Sequence, residues 1–187
     1  YTLAELTSLC NELTDQLNTL SDSVDRDSDG LADMGKDLED RARTAMSSLG
    51  VTYPELSGYY PQPKGLLFPA FLSVQNLSGI YSPFTIEANY NSAMVSYNLP
   101  FTICHELSHL RGFMQEEEAN FIGFLACVST DDTAFNYSGY LLGWIYATNE
   151  LYETDYDTFE EVYSRLSDNV KADLSANSSF WNRYDSK

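Results

Sequence analysis

Both histidines of the chain, His105 and His109, stand four residues apart with Glu106 beside the first. On a helix, positions four apart share a face and lie one turn from each other. Two imidazoles so placed can reach one Zn²⁺ ion. Glu106, the acidic member of this H-E-x-x-H pattern, is turned by about 100° from His105 and stands beside the ion rather than on it. Its carboxylate can then act as general base on a water held by the metal and pass the proton to a leaving amine. Five-residue patterns also arise by chance, so context decides. The chain has no further histidine, and an acidic run follows within reach. A glutamate buried beside two histidines is also costly without a partner or a metal.

A catalytic zinc takes three protein ligands and keeps one position open. The run His109-Leu110-Arg111-Gly112 is superficially similar to the longer metzincin pattern, but Gln115 stands where a third histidine would be. The third ligand is therefore expected to be a carboxylate, from Glu116, Glu117 or Glu118. Glu116 shares a helical face with Ala119, Asn120, Gly123 and Cys127, all small or short. Glu118 shares one with Phe121, Ile122 and Leu125, and Glu117 lies between them. Since the helix that carries the third ligand must pack closely on the H-E-x-x-H helix, the small face favours Glu116. Asn120, one turn on, would support a ligand histidine. A short glycine turn can rotate this register, so Glu117 and Glu118 stay open as alternatives.

Other residues have weaker claims. Cys127 lies about 16 Å along the helix from Glu116, and Cys104 points away from His105, so packing is expected for both. Arg111 fits a surface ion pair better than a substrate contact. Asp25, Asp27, Asp29 and Gly30 resemble the first half of a calcium loop, and Asp33 suits its ninth position, but Lys36 occupies the twelfth, where a bidentate glutamate belongs. A solvated acidic turn is the plainer expectation there. Peptide hydrolysis also needs an oxyanion donor. Tyr137, Tyr140 and Tyr146 follow the metal helices, while Tyr81 and Tyr90 flank an extended stretch; Tyr137 and Tyr140 are taken as the candidates.

These groups need a frame. The 187 residues are 43% hydrophobic, enough for one domain with a sizeable core over 1–187. The formal charge of −18 keeps the surface solvated and disfavours nucleic acid and anionic lipid as partners. Three cysteines make no disulfide framework. The apolar windows at 65–74 and 121–128 are too short to span a bilayer, so a membrane anchor would lie outside this fragment. Leucines at helical spacing over 3–20 predict the first helix of an N-terminal helical region, 1–50. A second helix is expected over 36–48 and an irregular wrap over 51–67. Residues 78–129 should hold the strand and the metal core. Within 78–91, Ile86, Ala88 and Tyr90 alternate with Glu87, Asn89 and Asn91, which predicts a strand, and Pro83 places it at a sheet edge. Glu87 and Asn89 would then pair with an extended peptide. Pro100 should open the metal helix at about 101–112, with Asn98 as cap and Gly112 as stop. Helices are further expected at 115–129, 136–153, 158–167 and 169–186, the last three in a C-terminal region, 136–187.

The stretches SGIYSPFTIEANYN, LPFTICHELSHLRGFMQEEEANFIGFLAC and YSGYLLG resemble a bacterial family known as domain of unknown function 3810. The resemblance implies a membrane-anchored zinc metallopeptidase domain on the outer side of the cytoplasmic membrane. Glu116-x-x-Ala119-Asn120 is similar to the glutamate helix of gluzincins, which implies that Glu116 binds zinc and Asn120 supports a histidine. The expected fold class is α+β, mostly helical: a zincin-like metallopeptidase domain with a small antiparallel sheet and an active-site H-E-x-x-H helix. The expected function is hydrolysis of a peptide or protein substrate with one catalytic Zn²⁺ and Glu106 as base. The alternative is a zinc-binding sensor or interaction ectodomain without turnover. Substrate specificity and oligomeric state leave no mark in the sequence.

Overall fold

The computed structural model describes residues 1–66 and 68–184. Helix α1 spans Leu3–Ser21 and starts with a capping box: the Thr2 hydroxyl accepts from the Glu5 amide while the Glu5 carboxylate accepts from the Thr2 amide. Leu6, Leu13 and Leu17 are buried, whereas Leu9 stays exposed. Helix α2, Leu38–Thr52, runs past its expected end and through Gly50. A Cβ at Gly50 would lie 2.9 Å from the Ser57 Cα, so this glycine lets the next turn fold back on the helix. That turn is a 3₁₀ segment, Pro54–Leu56. The wrap over 51–66 also contains a two-residue strand, β1 (Lys64–Gly65), and helix α3 (Pro69–Val74) follows it. Leu67, which the expected wrap included, lies outside the described residues.

Residues 78–91 form two strands rather than one. Strand β2 (Gly79–Ser82) pairs antiparallel with β3 (Glu87–Tyr90), and the turn between them closes with Ile86 in the left-handed region at φ 54°. Strand β1 pairs parallel with the other side of β3, giving the order β1-β3-β2. Two expectations are corrected. The sheet is mixed rather than antiparallel, and the strand carrying Glu87 and Asn89 is central rather than at an edge. Pro83 sits in the turn, where its missing N–H costs the ladder nothing, so it says nothing about which strand is outermost. Both edges of β3 are occupied, and the outer side of β2 is the edge next to the helix that carries His105 and His109.

Helix α4 spans Asn98–His109, three residues earlier than expected. Pro100 falls inside its first turn, where no intrahelical partner for an N–H exists and proline is tolerated. Asn98 lies within the helix and its amide donates to Asn177 of the last helix, so it is not the cap. After Gly112, α5 runs from Glu116 to Val128. Helix α6, Thr133–Thr154, starts earlier than 136 because Asp132 accepts from the Ala134 and Phe135 amides. Asp155 caps α7 (Tyr156–Ser164) and Ser167 caps α8 (Asp168–Asn182). Residues 185 and 186, expected in the last helix, lie outside the described residues.

The architecture is thus mostly helical α+β with a three-stranded mixed sheet. Helix α4 is packed between α5, α2, α6 and the β2–β3 hairpin, and α1 lies along α6. One buried cluster runs through these elements, with Leu17, Met46, Ile103, Leu107, Leu141 and Leu151 among its largest enclosed side chains. Phe121, expected in the bulky stripe of α5 with Ile122, is instead 61% exposed.

Candidate metal centre

The seam between α4 and α5 is drawn in by small residues. A Cβ at Gly123 would sit 3.3 Å from the His105 amide nitrogen and 3.4 Å from the Phe101 carbonyl. Ala119 and Cys127 on the same face are fully buried. This contact fixes the rotation of α5 about its axis and brings Glu116, its first residue, over the histidines. The Glu116 Oε2 lies 3.2 Å from His105 Nε2, and its Oε1 lies 3.9 Å from His109 Nε2. The two Nε2 atoms are 3.2 Å apart. Nitrogens held at about 2.0–2.1 Å in a tetrahedral set lie roughly 3.3 Å from each other, so this donor set fits a zinc ion. Among the described residues, His105, His109 and Glu116 are the acidic, histidine or cysteine side chains that converge in this way, with donor atoms within 4.8 Å of one another. Glu117 and Glu118 follow in the first turn of α5 and do not join them.

Each histidine is held differently. His109 Nδ1 lies 2.7 Å from the Phe113 carbonyl, a pairing that puts the ring proton on Nδ1 and leaves Nε2 bare for a metal. Gly112, at φ 91°, turns the chain so that this carbonyl comes back to the helix end. The Phe113 carbonyl was not foreseen from the sequence; the glycine that aims it was the available signal. Burial, with His109 next to it, holds the His105 pKa below the ordinary imidazole value, while Glu116 and the Asn120 amide favour its charged form. The His105 Nδ1 has no hydrogen-bond partner.

Glu106 is 5% exposed and its Oε2 is likewise without a partner. Burial, and then the charge of Glu116, pushes its carboxyl up to about 8. The carboxylate lies against β2: a Cβ at Gly79 would fall 2.8 Å from the Glu106 Cγ and Cδ. Glycine at 79 therefore makes the room in which Glu106 sits.

These groups line a cavity of about 530 Å³, walled by Gly79, Ile80 and Tyr81 of β2 on one side and by Asn120 and Tyr146 on the other. The wrap over 51–66 lines none of it. Arg111 holds that wrap instead, donating to the Ser57 and Tyr59 carbonyls and stacking over Tyr60 at 4.9 Å, so it is neither a surface ion pair nor a substrate contact.

The remaining candidates are not brought to the cavity. Glu87 pairs with Lys64 and accepts from Thr85, and Asn89 is buried in the central strand. Tyr137 is fully enclosed and donates to Asp173 at 2.5 Å, and Tyr140 packs edge-on against Phe124. Both are packing residues, because α6 turns them towards the core. Tyr90 donates to Glu39. The tyrosines that line the cavity are Tyr81, its ring 6.0 Å from that of His109, and Tyr146, whose phenol burial and Glu116 push upward. Cys104 and Cys127 are buried and neighbour each other across the seam. In the 25–33 turn, Asp27 Oδ1 accepts from the Asp29 and Leu31 amides, closing an acidic hairpin in which the carboxylates of Asp25, Asp27 and Asp29 do not converge.

The chain belongs to the family of proteins of unknown function DUF3810, which matches residues 1–187. No curated protein and no solved structure matches it. Among the described residues, no helix is long and apolar enough to cross a membrane.

Proposed function

We propose that this domain is a zinc-dependent metallopeptidase on a zincin-like scaffold, held at the cytoplasmic membrane and working on its outer side. The observation that carries the reading is the donor triangle of His105, His109 and Glu116 at tetrahedral spacing, next to a buried Glu106 with an unpartnered oxygen, in an open cavity. Zinc held there would supply a Lewis acid that acidifies a water and polarises a peptide carbonyl.

The chain's own residues do the rest. Glu106 receives the proton of the attacking water and returns it to the departing amine, and its raised pKa suits a group that must hold a proton part of the time near neutrality. Gly79 and the outer edge of β2 offer backbone groups to which an extended peptide can pair, at the wall where Glu106 lies. Tyr146 and Tyr81 are the phenol hydroxyls that line the cavity and can donate to a developing oxyanion. The three-donor set leaves room for substrate, and the wrap leaves the cavity open; both features favour turnover over a purely zinc-binding sensor domain.

The test pairs metal analysis of untagged protein with cleavage of a proteome-derived peptide library. Near-stoichiometric zinc and cleavage that Glu106→Gln abolishes are expected. Zinc without cleavage of any peptide would assign the domain to the sensor class, and protein without zinc would remove both readings.

A further inference from the structure

A second cavity, of about 890 Å³, lies behind the metal centre between α1, α5 and α6. That is within the roughly 300–1,000 Å³ typical of ligand sites. Its floor is apolar: Leu9, Leu13, Phe121, Phe124 and Ala147. Phe121 is 61% exposed and Leu9 48% exposed, although each lies on a helix with a buried stripe of its own. Four carboxylates, Glu5, Glu116, Glu117 and Glu150, line the groove around this floor, and among the described residues no Lys or Arg does. The groove is continuous with the metal cavity, because Phe101, Glu116, Asn120 and Tyr146 line both. A chain pairing with β2 across His105 and His109 would therefore have this groove open beside it, past the Glu116 end of α5.

We infer that this groove is the specificity site for the substrate: it takes a bulky apolar side chain, aromatic or leucine, next to the bond that is cut, in a segment flanked by lysine or arginine. The inference rests on the peptidase reading for what happens at the bond, but not for what binds. Shape and charge carry it. An exposed apolar floor loses water favourably only to an apolar side chain. A ring of carboxylates on a chain of formal charge −18 attracts cationic flanks and repels acidic ones. The inferred substrates are amphipathic basic segments, and acidic or purely polar peptides are excluded.

Three dansyl-labelled hexapeptides test it, built on Lys-Leu-Phe-Lys, Glu-Leu-Phe-Glu and Lys-Ser-Ser-Lys cores, with fluorescence anisotropy on the Glu106→Gln protein and cleavage by the unaltered protein read side by side. The Lys-Leu-Phe-Lys peptide should bind at least tenfold more tightly than either counterpart. Ala147→Trp, which fills the floor, should remove that advantage while zinc content and helical circular dichroism stay unchanged. Leu9→Lys, at an exposed position, should weaken the same peptide through charge and serves if the tryptophan variant does not fold. Equal binding of the three peptides, or an advantage that survives both substitutions, overturns the inference. A concentration-dependent mass abolished by Leu9→Lys would give the groove to a second copy and overturn it as well. Groove-dependent binding without cleavage would end the peptidase reading and leave the groove standing; cleavage indifferent to both substitutions would do the reverse.

Discussion

Among the described residues, two carboxylates are buried deep, and their surroundings are completed differently. Asp173 on α8 is fully enclosed, and each of its oxygens has donors: Oδ2 receives Arg26 at 2.9 Å and Tyr137 at 2.5 Å, and Oδ1 receives the Ala32 amide at 2.9 Å. Glu106 on α4 is almost as enclosed, yet its Oε2 has no partner, and beside it the His105 Nδ1 has none either. A low-dielectric interior rewards the first arrangement and penalises the second. The Asp173 cluster ties the 21–35 turn and α6 to the last helix and lines no part of the cavity at Glu106. The Glu106 cluster faces about 530 Å³ of open space and leaves its polar groups incomplete. Where a fold leaves local rules unmet beside a cavity, a ligand is the usual missing partner.

The comparison breaks most visibly at Glu106. Glu106→Gln should lower peptide cleavage by about 10³-fold, the scale of a lost general base, with zinc content unchanged by metal analysis. The same substitution should stabilise the metal-free protein. The folded-state pKa of Glu106 is raised to about 8, so between about 4.5 and 8 the folded state holds a proton that the unfolded chain has released. Stability from this group is therefore present at low pH and lost as pH rises to about 8. The melting temperature of Glu106→Gln should exceed that of the parent by a margin that grows over this window. A margin independent of pH would show that Glu106 is not a strained carboxyl.

Asp173 should respond in the opposite sense. Asp173→Ala leaves the Tyr137 hydroxyl without its acceptor and Arg26 with only the Gly30 and Ser21 carbonyls in place of its counter-ion, and should cost about 3–5 kcal/mol in urea unfolding, as for a buried pair broken on one side. Zinc content per folded molecule should stay the same. If Asp173→Ala removed zinc, the two clusters would be energetically coupled and the contrast between them would fail.

The convergence of His105, His109 and Glu116 was legible in the sequence, because its signals are local. H-E-x-x-H needs only a helix to place its residues, and the run of Ala119, Gly123 and Cys127 states which face of α5 can come close. Glu116 follows from that face, so Glu116→Ala should weaken zinc binding by more than the roughly 10–100-fold that a supporting residue costs, while Glu117→Ala leaves it unchanged. The order of the sheet was not legible. Pro83 was read as a property of a strand, but it occupies the turn, and only the long-range pairing of Lys64 with Asn89 makes β3 central. Tyr137 and Tyr140 failed as site residues for a similar reason. The rotation of α6 is set by Gly139 against Cys127 and Gly143 against Phe124, contacts that no spacing in one segment announces.

The smallest effect separates the two histidines. His109 is oriented by a backbone carbonyl, that of Phe113, which no substitution of a side chain deletes. His105 has the Asn120 side chain beside it and nothing on Nδ1. Its orientation should then depend on Asn120 and on the metal itself. Asn120→Ala should weaken zinc binding by about tenfold, at the low end of supporting-residue effects, with little change in the stability of the metal-free protein. Asn120→Asp, which offers a charged acceptor to the same ring, should restore the affinity. If Asn120→Ala left zinc affinity unchanged, the packing of α5 on α4 at Gly123 would be sufficient to hold His105, and the asymmetry between the two ligands would have no consequence for the metal.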